Sequence, residues 1–77
     1  MNAVHLRRID QSRNLRRFYL LDVQRDLFGH VLLVKTWGRI GAHGRIVAEL
    51  YDDETLATNA LTLQASRKRR RGYRDVP

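Results

Sequence analysis

With 77 residues, no cysteine, and fifteen Lys and Arg against eight Asp and Glu for a net charge of +7, the chain has room for one core and no second lobe. That excludes a disulfide framework, a thiolate metal site and a nucleophilic thiol. Thirteen of the fifteen cations are arginine, whose planar fork donates paired hydrogen bonds to phosphate oxygens, so a polyanionic partner is the natural inference.

The segment from Met1 to Asp10 lacks the apolar core of about 7–15 residues that a signal peptide needs. No apolar run approaches the roughly 20 residues of a membrane span. A soluble protein of a reducing cytosol, with no membrane partner, is the expectation. Val4 and Leu6 share a face at period two, and the polar cluster from Asp10 to Asn14 follows, which reads as a short strand and a turn. Over residues 18–24, Tyr19, Leu21 and Val23 alternate with Phe18, Leu20, Asp22 and Gln24. The all-apolar side is expected to face the core. Asp26, Leu27, Phe28 and Gly29 interrupt the pattern, and residues 30–37 resume it as an apolar, β-branched strand, so a hairpin joins the two.

Gly38, Gly41 and Gly44 recur around Ala42 and His43, supplying the backbone freedom of a tight reversal. In the return strand, residues 45–51, Ile46, Ala48 and Leu50 share one face. Beyond Asp52 and Asp53 the period becomes helical. Leu56, Ala57, Ala60, Leu61 and Leu63 fall on one stripe, with Thr58, Asn59, Thr62 and Ser66 opposite. Asp52 or Asp53 supplies the cap, the cations that follow Ser66 complement the macrodipole, and Gly72 is placed to stop the helix. The expected fold is α+β, one domain over residues 1–77: a small antiparallel sheet of about four strands with one long C-terminal helix packed on one face.

Trp37 shares a face with Lys35 and stands at a strand end beside Gly38 and Arg39. It is either an exposed platform for a base or ribose, with Arg39 reaching a phosphate, or a core anchor; the residues alone leave both open. The run Arg67, Lys68, Arg69, Arg70 and Arg71 wraps a helix on all sides, so part of it is solvated. The rest is either a soluble helix end that complements the macrodipole or a phosphate-tracking patch that Arg7, Arg8, Arg13, Arg16 and Arg17 extend. Tyr73 either anchors the tail to the sheet or contacts nucleic acid. His5, His30 and His43 lack the spacing of a metal pair. Glu49, Asp52, Asp53 and Glu54 read as helix capping, and the Gly-x-x-Gly-x-x-Gly turn is neither a dinucleotide fingerprint nor a P-loop. With no nucleophile–base pair, metal cluster or cofactor loop to assemble, a non-enzyme without cofactor is expected.

Phe18-Tyr19-Leu20-Leu21, Leu27-Phe28-Gly29, Trp37-Gly38-Arg39-Ile40-Gly41 with Gly44, the helix, and Arg71-Gly72-Tyr73 together resemble the WGR domain. The resemblance covers about Asn14 to Arg74. It implies a sheet-plus-helix module, found in DNA-damage-dependent poly(ADP-ribose) polymerases and as free-standing bacterial proteins of the cytosol or nucleoid, hence a DNA-repair setting. In those polymerases the motif Trp lies against the sugar of the terminal nucleotide at a strand break, and the motif Arg bridges to DNA or to neighbouring domains. Those positions here are Trp37 and Arg39. The family often has an Asn shortly before the Tyr of the second strand, toward a 5′ end; here Arg16 stands near that place and Asn14 is displaced. No ADP-ribosylating activity carries over.

The residues expected to contact nucleic acid are Arg16, Arg17, Lys35, Trp37, Gly38, Arg39, Arg67, Lys68, Arg70, Arg71 and Tyr73. The function expected is a non-catalytic DNA-binding module that prefers ends, nicks or distorted duplex. The alternative is a protein-interaction adapter for a nucleic-acid-processing enzyme; RNA shares the same electrostatics, and a monomer is the favoured state.

Overall fold

The alternating and helical periods become five strands and one α-helix, with a single turn of 3-10 helix at Gln11–Arg13, in a computed structural model that describes residues 3–77: β1 (Ala3–Asp10), β2 (Leu15–Arg25), β3 (Val31–Arg39), β4 (Arg45–Tyr51), α1 (Glu54–Arg70) and β5 (Arg74–Asp75). Met1 and Asn2, on which the reading of the N-terminus partly rests, lie outside the described residues. One antiparallel sheet runs in the order β4-β3-β2-β1-β5, and α1 packs on one of its faces. To the four expected strands the structure adds β5, whose two residues pair with Leu6 and Arg7.

Register decides which side chains meet the helix. Leu6 opposes Tyr19 and Tyr19 opposes Trp37, while Leu21 opposes Lys35 and Val23 opposes Leu33. The apolar side of β2 therefore faces the core, as its alternation requires. Leu6, Tyr19, Leu21, Val23, Val31 and Leu33 from the sheet are buried against Ala57, Leu61 and Ala65 of α1. Alanine at every second turn brings the helix axis close to the sheet, and that spacing moves the true stripe away from the one expected. Leu56 and Leu63, both expected on it, are 47% and 53% exposed. At about 100° per residue Leu56 lies a little over a quarter of a turn from Ala57, and Leu63, two residues from both Leu61 and Ala65, lies nearly half a turn off the 57–61–65 line.

Local chemistry ends each element. The Asp53 carboxylate accepts from the Leu56 amide at 2.8 Å and caps α1. After Arg71, Gly72 takes a φ of +96°, and the Tyr73 amide donates back to the Lys68 carbonyl at 3.1 Å. The tail is then clamped by Arg69, which donates to both oxygens of Asp75 at 2.7 and 2.8 Å, and by the Val76 amide on the His5 carbonyl. Asp26 organises the β2–β3 hairpin by accepting from the amides of Phe28 and His30, both at 2.9 Å. The tightest approach is at the other hairpin. A Cβ on Gly38 would stand 2.8 Å from the Gly44 Cα, and one on Gly44 would strike the Trp37 carbonyl and the Phe18 ring.

Leu33→Ala should lower the unfolding free energy by about 2–5 kcal/mol in a urea titration, the range for a buried leucine. Leu27→Ala, at a side chain 99% exposed, should stay within about 0.5 kcal/mol. The Arg69 guanidinium holds the Asp75 carboxyl below its ordinary value. A carboxyl lowered on folding stabilises above its unfolded pKa, and that contribution is lost as pH falls through the lowered folded value. Amide exchange at Tyr73 to Asp75 should therefore accelerate in that acid window relative to the core strands, and Asp75→Asn should remove the pH dependence.

Candidate nucleic-acid interface

The helix does not cover the whole sheet. Its last turn ends over Tyr19, with the Lys68 ammonium 4.5 Å from the centre of that ring and 5.5 Å from Tyr73. Beyond this point the helix-side positions of the sheet continue without cover, and register fills them with cations. Arg8 opposes Arg17 and Arg17 opposes Arg39, so three arginines form one row across β1, β2 and β3. Like charges directly opposite each other destabilise a sheet. Among the described residues, the carboxylates form ion pairs with Arg13, His30, Lys35 and Arg69 and with none of the row.

Between this row and the helix end lies an open cleft of about 430 Å³. Its cations are Arg8, Arg17, Lys68 and Arg71; its aromatic walls are Phe18, Tyr19, Trp37 and Tyr73, with Leu15 and Gly38 completing it. The Lys68 ammonium is held below its ordinary pKa first by burial, then by the charges of Arg71, Arg17 and Lys35. A group so placed is deficient in negative charge, and an anion entering the cleft would relieve it.

Trp37 is neither wholly in solvent nor wholly in the core. It shares the helix side with Val31 and Leu33 and is half-buried against the core, its ring stacked on Tyr19 at 5.9 Å and 17°. The same indole borders the cleft. Tyr73 packs edge-on to Tyr19 at 6.3 Å, so it anchors the tail while forming part of the wall. Gly38 admits the Gly44 backbone, which folds the β3–β4 turn down beside the Trp37 carbonyl. Arg39 is exposed and donates to the carbonyl and side-chain oxygens of Asn14 at 3.4 and 3.5 Å, long contacts that hold it loosely. Asn14 accommodates this from a left-handed backbone, φ 50°.

The remaining expected residues are dispersed. Lys35 lies on the helix side, but its ammonium is 3.0 Å from Glu49 and its side chain only 13% exposed. Arg16 opposes Ile9, on the face away from Arg17's. Arg67 and Arg70 line a separate groove of about 380 Å³ on the helix, shared with Gln64, Lys68 and Arg71. Arg8, expected only as an extension of the helix-end patch, and Tyr19, expected only to face the core, both belong to the cleft. Parity was the available signal, because Arg8 and Arg17 continue the alternation of Leu6 and Tyr19. No group of three or more metal-ligating side chains occurs among the described residues. Asp26 pairs with His30 at 2.9 Å and Asp53 caps α1, so these acids act locally in the structure.

The WGR domain family model matches residues 2–77. An uncharacterized protein of Sinorhizobium fredii, y4dW, is 35% identical over 74 residues, which cover 96% of this chain and 36% of the relative. The chain thus spans about a third of that relative's length. No solved structure matches.

Because the indole is packed as well as accessible, Trp37→Ala should destabilise the fold by more than the about 0.5–1.5 kcal/mol of an aromatic pair. It should cost less than the about 3–5 kcal/mol of a fully buried tryptophan. Thermal or urea unfolding measures this directly, and a loss outside that interval would place the side chain wholly in solvent or wholly in the core.

Proposed function

The chain belongs to the WGR domain family, and from that premise we propose that it is a non-catalytic DNA-binding module that grips duplex through backbone electrostatics and the Trp-Gly-Arg strand end. WGR domains bind nucleic acid in poly(ADP-ribose) polymerases. The observation that carries the reading here is the cleft at the helix end, where Arg8, Arg17, Lys68 and Arg71 meet aromatic walls without a carboxylate partner among the described residues. Guanidinium forks suit phosphate oxygens, and the edge of the Trp37–Tyr19 stack offers a surface to a sugar or base. Such a surface has no helix lying across it. A terminal or unstacked nucleotide fits it better than continuous duplex does, which supports a preference for ends, nicks or distorted DNA. Arg39, loosely held at the rim, is the cation free to reach the backbone or a neighbouring domain. The setting this implies is DNA repair in the cytosol or nucleoid.

A second reading, a protein-interaction adapter, draws on the opposite end of the molecule. Leu27 and Phe28 are 99% and 85% exposed on a hairpin that Asp26 and Gly29 make rigid. Asp52, Asp53 and Glu54 follow the paired end of β4 near that hairpin, so this end is acidic and apolar where the other is basic. The two readings use different surfaces and are separable.

Titration with matched blunt, nicked and closed circular duplex, and with RNA, at several salt concentrations tests the proposal. If roughly four phosphates are neutralised, log affinity should fall with log salt at a slope of about −3.6. Arg17→Gln with Arg71→Gln should make that slope shallower, and the ends-bearing duplexes should quench or shift Trp37 emission where the circle does not. Arg39→Ala should weaken binding while leaving folding within about 0.5 kcal/mol. A slope near zero with no response of Trp37 would refute DNA binding through this cleft.

A further inference from the structure

Strand β4 is the anomaly of this fold. Five of its seven residues are apolar, yet Ile46 is 70%, Val47 41% and Leu50 67% exposed. It is an edge strand, hydrogen-bonded to β3 on one side and, among the described residues, to nothing on the other. Natural edges are blunted by Pro, Lys, bulges or a covering segment. Residues 45–51 contain neither Pro nor Lys, pair with β3 without a bulge, and bear charge only at Arg45 and Glu49.

We infer that β4 pairs with β4 of a second copy of this chain, antiparallel and centred on Ala48, to continue one sheet through both copies. The register follows from the strand's own composition. Only a two-fold at Ala48 lets all seven residues pair, and it sets Ile46 against Leu50 of the second copy, twice, on the face that α1 does not cover. On the helix side Val47 opposes Glu49, and Arg45 opposes Tyr51 while lying diagonal to Glu49. Arg45 has no carboxylate partner in its own chain among the described residues. Glu49 is 38% exposed and holds Lys35 through one oxygen, with the Tyr51 hydroxyl at 3.4 Å from the other. Opposite charges thus meet across the two-fold, and the most exposed apolar side chains of the edge cover one another. The same geometry leaves the basic cleft free, since its cations lie on β1, β2 and the helix end. An antiparallel pair then points two clefts to opposite ends of the joint sheet. Bridging of two DNA segments rests on the proposed function; the pairing itself does not.

Sedimentation velocity of the full chain without DNA, from micromolar to millimolar concentration, reads the pairing alone. The mass should rise to about twice the 9.1 kDa of one chain. Ile46→Lys, at a side chain already in solvent, should keep the circular dichroism spectrum and abolish the rise, because each lysine would face Leu50 of the other copy. The chain has no cysteine, so Ala48→Cys provides a positional probe: on mild oxidation it should form a disulfide-linked dimer, while Leu63→Cys on the exposed side of α1 should not. A wild type that stays monomeric at millimolar concentration overturns the inference. So does a dimer that survives Ile46→Lys and leaves Ala48→Cys unlinked. With the pairing established, capture of a second duplex by an immobilised first one tests bridging, and its failure would count against the DNA reading and not against the dimer.

Discussion

The seating of α1 on the sheet governs everything else in this molecule. Ala57, Leu61 and Ala65 lie on Leu6, Leu21 and Leu33, and the short alanines let the helix come close enough to exclude water from a core of few side chains. A domain of this size buries only about 60% of the surface its unfolded chain exposes, so no part of that contact is spare. The helix is capped at Asp53 and released at Gly72, and its length between those points decides how far along the strands the core extends. Where it stops, the covered face changes at one step from Leu6 and Tyr19 to Arg8 and Arg17. The cleft is therefore the continuation of the core beyond the helix end, built on the same strands and the same side-chain parity.

Charge follows this division. Asp26, Asp52, Asp53 and Glu54 sit at the end where the helix begins, and the arginine row with Lys68 and Arg71 at the end where it stops. The arrangement suits the helix macrodipole at both termini, but the dipole does not account for Arg8, Arg17 and Arg39 standing opposite one another across three strands. Their mutual repulsion opposes folding. Arg69 shows what a structural cation looks like here, engaged by both oxygens of Asp75, and among the described residues the row and the cleft cations have no carboxylate partner. Side chains that destabilise one another in the free protein are best accounted for by a partner that supplies the missing negative charge.

Much of this was legible in the sequence because strand and helix periods are strong signals. The four long strands, the helix, the Asp53 cap and the glycine-rich reversal all follow from alternation, spacing and turn chemistry. The helix stripe was misplaced because Leu56 and Leu63 outweigh Ala65 in hydrophobicity, whereas close packing favours the small side chain. β5 has two residues and no period; only its pairing with β1 defines it. For Trp37, parity with Lys35 was correct but incomplete. The face they share also carries Val31 and Leu33, and whether that end of it is roofed depends on where α1 stops relative to Tyr19, a distance that no local pattern encodes. For the same reason Arg8 was expected only as an extension of the helix-end patch and not as part of this uncovered face.

The glycines of the motif acquire a specific physical sense from this geometry. At Gly38 the backbone of Gly44 occupies the place where a side chain would start, and at Gly44 a φ of +77° and the Trp37 carbonyl and Phe18 ring close the remaining space. The β3–β4 turn is thereby folded flat against its own strand beside Phe18. Gly38 itself lines the cleft beside Trp37, and none of residues 40–44 of that turn does. Trp, Gly and Arg thus act as one unit with three separate duties. The indole closes the core on one side and borders the cleft on the other, and the glycine keeps the turn low. Alternation returns Arg39 to the side of Arg17, where among the described residues its only side-chain hydrogen bonds are a pair of long contacts to Asn14. A guanidinium so weakly restrained gives up little when it leaves Asn14 for a phosphate. That is why the rim of the cleft, more than its floor, is where recognition of a partner should begin.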